Sequence, residues 1–157
     1  MKRVLPIARD DDDRQVLRDV AESGCHIVGV LADETGPAYA YSIGLFHNYD
    51  HPEILIFGLD HVLMQNLINS MCEEIQRGVR FLPGSRHPDI IADFDCEFRT
   101  VDPTHYHELL GYAEWFYPDA KFPVIQCIWP DTQGRFPWQP DFEPKFLHLQ
   151  PRYDRIA

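Results

Sequence analysis

Apolar and polar residues alternate with two different periods along this chain, and the two periods predict strands and helices. Apolar residues at every second position, or in short unbroken runs, predict strands over 25–32, 38–46, 53–59, 91–101 and 122–129. Apolar residues three and four positions apart predict helices over about 14–22, from an Asp60 cap to about Arg77, and over 103–117. Gly24 and Gly78 follow the first two helices, where glycine commonly ends a helix.

The order of these elements predicts the fold class. A hairpin, a strand, a helix, a strand, a helix and a last strand follow one another without regular alternation of strand and helix. We therefore expect an α+β protein with a mainly antiparallel sheet or a split-barrel-like barrel, and about three helices. The length of 157 residues predicts a single domain over 1–157, with an N-terminal arm over 1–9 and a C-terminal surface segment over 139–157.

The second predicted strand has an unusual pattern of side-chain sizes. Its odd positions are Tyr39, Tyr41, Ile43 and Leu45, and its even positions are Ala38, Ala40, Ser42 and Gly44. Because strand side chains alternate between faces, one face of this strand is bulky and the other is nearly bare. We expect a helix, another strand or a bound ligand to approach the bare face closely.

Charge and composition exclude several classes of partner. Lys and Arg number 14 against 25 Asp and Glu, which gives a formal net charge of −11. Nucleic acids and anionic membranes attract clustered basic residues, so we expect neither as a partner. No apolar run approaches the roughly 18 residues of a membrane-spanning helix. The four cysteines form no CxxC pair and lie in apolar segments, which favours free thiols and a cytoplasmic location.

The histidines and Ser42 are the first candidates for chemistry. His47 and His51 have the spacing of a metal-binding pair on a helix, but Pro52 favours a surface loop with hydrogen-bonded histidines. Ser42 lacks the G-x-S-x-G context of an activated serine, and no cysteine has a local histidine partner. We therefore predict no catalytic residue and no metal ligand.

Acidic residues form two further motifs. Asp93, Asp95 and Glu97 share one face of a predicted strand and could bind a cation, but they also fit a solvated outer face. The run Asp10–Asp13 could hold a cation, but Asp12 or Asp13 also fits the cap of the first helix. The structural explanation is preferred in both cases.

The segment WPDTQGRFPW, residues 129–138, allows two interpretations. In the first, an Asp131–Arg135 pair holds an aromatic-anchored loop at one end of the sheet. In the second, the loop is a lid, with Arg135 on an anionic group and the indoles of Trp129 and Trp138 stacked on a ring.

Three motifs in this order resemble a bacterial family known only as a domain of unknown function. They are AYSIGL (40–45), HPEILIFGL (51–59) and WPDTQGRFPW (129–138). The resemblance implies a bacterial origin and a shared fold, but no catalytic residues. A weaker likeness, carried by the small-residue hairpin, the buried strand and the helix, is to the flavin-binding split barrels. It implies FMN as a cofactor, with Ser42 on the bare face and His47, His51, Arg86 and His87 as the available cations.

Together these features predict a binding pocket between the bare face of 38–44, the His47 loop and the Trp129–Trp138 loop. Its polar contacts would come from Ser42, His47, His51, Arg86 and Arg135, with Trp129 beside them. We expect a protein that binds a small molecule or a protein partner. The alternatives are an FMN-binding oxidoreductase and a pure interaction module, and analogy with split barrels suggests a homodimer.

Overall fold

The computed structural model describes residues 3–118 and 121–155. The helices are α1 (Asp11–Ser23), α2 (Leu45–Tyr49), α3 (His61–Gln76), α4 (Tyr106–Leu109) and α5 (Gly111–Phe116). The strands are β1 (His26–Val30), β2 (Tyr39–Ile43), β3 (Glu53–Phe57), β4 (Arg86–Ile91), β5 (Phe94–Thr100) and β6 (Val124–Ile128). Two 3-10 helices occupy Pro103–His105 and Pro144–Leu149.

All six strands form one sheet, in the order β1-β2-β3-β6-β5-β4. Each pairing is antiparallel except that of β3 with β6, which is parallel. The expected α+β class with a mainly antiparallel sheet is confirmed. Within the described residues the edge strands β1 and β4 do not pair with each other, so the sheet is open rather than a closed barrel. No helix in these ranges is long and apolar enough to cross a bilayer.

Helices cover both faces of the sheet. α3 packs Met64, Leu67 and Ile68 against one face, and α1 and α5 place Val16 and Phe116 on the other. β3 and β6 lie between these layers, and every residue of both strands is buried. Strands made mostly of apolar residues are typical of positions covered on both faces.

Two predicted loops contain regular structure. Residues 83–88 are rich in turn-forming residues and predict a loop, but β4 begins at Arg86 and includes Pro88. Proline is tolerated there because β4 is an edge strand, and its pairing with β5 shifts between His87 and Ile91. The predicted loop after β2 contains α2, so His47 lies in a helix of five residues.

Two predicted helices differ in detail from the observed ones. α1 is capped by Asp10 rather than by Asp12 or Asp13: the Asp10 carboxylate accepts from the Asp13 N–H at 2.9 Å. The single helix predicted over 103–117 is wrong. A 3-10 turn, α4 and α5 replace it, and the break lies at Leu110, whose φ of −125° and ψ of 38° are not helical.

The nearly bare face of β2 is covered by α3. Ala40 is fully buried in the same apolar cluster as Met64 and Leu67. On the neighbouring strand Gly29 lies opposite Ala40, and a Cβ at Gly29 would lie 2.3 Å from Cε1 of the His61 ring. The small residues therefore let the helix approach the sheet, and of the three expected occupants the helix is the one observed.

Replacing Ala40 with leucine should destabilise the protein, because the added atoms meet α3 in a filled core. We expect a loss of about 1–3 kcal/mol in the free energy of unfolding, measured in urea. Ala32→Leu is the matched control, since Ala32 is exposed, and should change this free energy by less than about 0.5 kcal/mol. Equal stability of the two variants would show that space remains beneath α3.

Candidate functional site

A buried carboxylate organises the region in which the sequence predicts Ser42 and His47 to contact a ligand. Glu53, the first residue of β3, is 1% exposed, and none of its partners among the described residues is cationic. Oε1 accepts hydrogen bonds from Ser42 Oγ (2.8 Å) and the Leu45 N–H (3.1 Å). Oε2 accepts from Tyr117 Oη (2.5 Å), the Gly44 N–H (3.1 Å) and the Phe46 N–H (3.2 Å). We call this group the Glu53 cluster.

The Glu53 cluster joins β2, β3, the start of α2 and the end of α5. Burial raises the pKa of the Glu53 carboxyl, and the hydrogen bonds from Tyr117, Ser42 and the backbone oppose that rise. The backbone donors belong to the start of α2, so Glu53 caps this helix from the adjacent strand. Ser42 Oγ also accepts from the Ile54 N–H at 2.9 Å, which places the hydroxyl in the core rather than at a cavity.

The two histidines lie on different sides of this cluster. His51 is fully buried, and its Nε2 accepts from the Phe81 N–H at 3.0 Å. Its Nδ1 lies 2.8 Å from the Pro52 carbonyl, which requires a proton on Nδ1, so both ring nitrogens are used. Burial lowers the pKa of His51. The His47 N–H donates to Tyr117 Oη at 3.1 Å, and its ring packs edge-on against Phe116. In residues 3–118 and 121–155 no three ligand-type side chains converge as a metal site.

Arg86 is paired with Glu97. Arg86 Nε donates to Glu97 Oε1 at 2.8 Å, and Arg99 Nε donates to Oε2 at 2.5 Å. The Arg86 guanidinium also lies 4.4 Å from the centroid of the Phe136 ring. Glu97 is only 6% exposed, so the expected solvated face is wrong for this residue, although Asp93 and Asp95 are exposed.

Among the six predicted binding residues, Trp129 alone lines a described cavity large enough for a small molecule. This Trp129 cleft has a volume of about 330 Å³ and lies beyond the carboxyl ends of β3 and β6. The indole Nε1–H of Trp129 donates to the Phe57 carbonyl at 2.7 Å, so the indole offers carbon atoms to the cleft. The other apolar lining residues include Gly58, Leu59, Ile91, Phe94, Phe146 and Leu149.

Asp131 fixes one wall of the Trp129 cleft. Its carboxylate accepts from the N–H groups of Gln133, Arg135 and Glu143 and from the Arg135 guanidinium, at 2.8–3.0 Å. Burial opposes ionisation, but these hydrogen bonds outweigh it and lower the pKa of Asp131 to about 2. The expected Asp131–Arg135 pair is therefore formed, and Arg135 is engaged within the loop.

The 3-10 helix Pro144–Leu149 forms the opposite wall and is anchored at both ends. Before it, the Glu143 N–H donates to Asp131; after it, Gln150 pairs with the backbone of Trp129 through two hydrogen bonds of 2.8 and 2.9 Å. Gly58 allows this wall to approach, since a Cβ at Gly58 would lie 2.1 Å from the Leu149 carbonyl oxygen. The sequence contains no local signal for Gln150, because its partner lies 21 residues away.

Glu53→Gln should destabilise the protein strongly, because the amide replaces one acceptor oxygen with a donor that faces other donors. We expect a loss of about 3 kcal/mol in the free energy of unfolding, measured in urea. Glu73→Gln, at an exposed position of α3, is the control and should be nearly neutral. A Glu53→Gln protein as stable as this control would contradict the role given to the cluster.

The contribution of Asp131 should depend on pH. A carboxyl whose pKa is lower in the folded protein stabilises it above the unfolded value and loses that contribution as pH falls. For Asp131 the window runs from the ordinary value of 3.8 down to about 2. The difference in unfolding free energy between the parent and Asp131→Asn should therefore be full at neutral pH and shrink through this window. The same difference for Asp95→Asn, an exposed control, should stay small; a pH-independent difference for Asp131→Asn would contradict the assignment.

Comparison with known proteins identifies a family of domains of unknown function. Residues 19–143 match the family described as domain of unknown function (DUF4262). No curated protein and no solved structure matches the chain. The match covers most of the 157 residues, including the β2 and β3 motifs and the Trp129–Trp138 loop. The chain therefore belongs to the DUF4262 family of domains of unknown function.

Proposed function

We propose that this protein binds a small, neutral, ring-containing molecule in the Trp129 cleft. The observation that carries the proposal is the apolar cleft itself, which lies at the carboxyl ends of the two parallel strands. In open α/β sheets, ligands commonly bind in the crevice outside the carboxyl ends of parallel strands. The volume of about 330 Å³ is within the range of small-molecule pockets, roughly 300–1,000 Å³.

The lining favours a neutral ligand. Its only charged residues within the described chain are Asp60 and Asp131. The Asp131 carboxylate is satisfied inside its own loop, and Asp60 Oδ2 caps α3 through the N–H groups of Val62 and Leu63. Burying an anion beside these groups would be unfavourable, whereas a ring would pack on Trp129 and Phe146.

The same lining argues against the FMN alternative. A flavin phosphate requires cationic or N–H donors, and none of the described lining residues is Lys, Arg or His. Arg86 and Arg135 are already paired with Glu97 and Asp131. A neutral ligand therefore fits the cleft better than FMN.

A pure interaction module would dock through exposed aromatic residues near the C-terminus, and two of the aromatic residues there are buried. Phe136 and Phe142 are 2% and 3% exposed, so they contribute to the core rather than to a docking surface. Trp138 stacks on Phe136, with ring centroids 5.0 Å apart, and the Arg99 guanidinium lies 4.0 Å from its centroid. Small-molecule binding is accordingly favoured over recognition of a protein through these rings.

Indole is a suitable probe, because it is neutral, bicyclic and small. Titration followed by NMR should shift the indole N–H signal of Trp129, with a Kd of about 1 mM, and leave Trp115 and Trp138 unchanged. Addition of FMN in the same titration should not shift the indole N–H signal of Trp129.

Thr132→Phe and Thr132→Ala form a matched pair, since Thr132 is exposed and lines the cleft. The phenylalanine should weaken indole binding at least about tenfold by filling the mouth, and the alanine should leave it nearly unchanged. The proposal fails if both variants bind indole as the parent does, or if indole shifts Trp115 or Trp138 instead of Trp129.

A further inference from the structure

A second cavity lies at the same edge of the sheet, on the opposite face from the Trp129 cleft. We call it the tyrosine cavity; its volume is about 250 Å³. The ring of Phe57 lies between the rings of Tyr39 and Tyr153, with centroid separations of 4.7 and 5.2 Å. The exposed residues Asp33 and Glu108 also line the cavity.

The position of each tyrosine is set by the backbone around it. Tyr39 is the first residue of β2 and pairs with Phe57 across the sheet. Tyr153 is held through its backbone, since its N–H donates to Gln126 and its carbonyl accepts from the Asp102 N–H at 2.8 Å. The cavity is therefore preformed, which reduces the entropy lost when a ligand binds.

The polar groups of the tyrosine cavity are mainly acceptors. Tyr39 Oη donates its proton to the Leu109 carbonyl at 2.9 Å, which leaves the oxygen free to accept. Asp33 Oδ1 accepts from the N–H and hydroxyl of Thr35, and this pairing holds the carboxylate at the hairpin turn. Across residues 3–118 and 121–155, Glu108 forms no ion pair. A ligand that supplies hydrogen-bond donors therefore matches these acceptors.

The charge of the cavity is negative. Of its 12 described lining residues, the only charged ones are Asp33 and Glu108. Burial raises the pKa of Tyr39, and Tyr153, Glu108 and Asp33 raise it further, so the phenol stays protonated at neutral pH. Burial and Glu108 raise the pKa of Tyr153 in the same way. A positive charge placed here would be attracted by both carboxylates and would meet no repulsion from the lining.

We propose that the tyrosine cavity binds a small organic cation that carries N–H donors, such as an alkylammonium or alkylguanidinium group. The cationic head would bond to Glu108, Asp33 and the Tyr39 oxygen, while the alkyl part would contact Val30, Leu31 and Pro37. A volume of about 250 Å³ is that of about eight water molecules at 30 Å³ each, which is enough for a small alkylammonium or alkylguanidinium ion. The proposal is independent of the Trp129 cleft, which shares none of these residues.

Butylammonium and 1-butanol separate charge from shape, because they have nearly the same size. In an NMR titration, butylammonium should shift the amide signals of Gly36, Leu109 and Tyr153 with a Kd of about 1 mM, and butanol should not. Glu108→Gln should weaken butylammonium binding about tenfold. Glu34→Gln removes the same charge from an exposed residue of the same hairpin that does not line the cavity, and should leave binding nearly unchanged.

Three results would overturn the proposal. The first is the absence of shifts at the cavity with about 100 mM butylammonium, a hundredfold above the expected Kd. The second is equal binding of butanol and butylammonium. The third is equal weakening by Glu108→Gln and Glu34→Gln, which would indicate attraction to the general negative charge of the protein. Both substitutions are at exposed sites, so both variants should fold, and thermal unfolding checks this.

Discussion

The parallel pairing of β3 with β6 is the constraint on which the rest of the structure depends. It joins two β-segments that are distant in sequence, with Glu53 opposite Val124 and Leu55 opposite Gln126. A parallel pair needs a long crossover, and here α3, β4, β5, α4 and α5 all lie between the two strands. Because both strands are buried on both faces, helices must cover the sheet on each side. Because the two strands are parallel, the loops that follow their carboxyl ends meet at one edge of the sheet.

Polar side chains inside this core stabilise a helix terminus and the irregular segments of the chain. Glu53 caps α2, Asp131 organises the loop after β6, and Gln150 pairs with the backbone of Trp129. Gln126 performs the same task for the C-terminal segment, donating to the Pro151 carbonyl and accepting from the Tyr153 N–H. A buried polar group is tolerated only when hydrogen bonds replace the water it has lost, and backbone groups of irregular segments need the same partners. Each of these side chains therefore gains the hydrogen bonds that its own burial requires and supplies partners to backbone groups that have none in regular structure.

The consequence for function is that the available cavities differ from the pocket predicted by the sequence. The bare face of β2 is occupied by α3, and Ser42 and His51 hold backbone groups in the core. The two cavities at the carboxyl edge of β3 are separated by the sheet, and their linings differ in chemistry. The Trp129 cleft is apolar, whereas the tyrosine cavity combines phenols with carboxylates. Membership of a family without an assigned activity leaves these linings as the basis for assigning ligands.

The sequence by itself determined the features that depend on near neighbours. The hairpin of β1 and β2, the buried strands β3 and β6, and α3 between Asp60 and Gly78 follow from periodicity, capping and glycine positions. Only the tertiary structure decided the parallel pairing, the strand character of β4, the break at Leu110 and the location of the cavities. Trp129 contacts the Phe57 carbonyl across 72 positions of sequence, and Tyr39 contacts the Leu109 carbonyl across 70. Local patterns report which face of an element is apolar, but a cavity exists only where distant elements leave space between them.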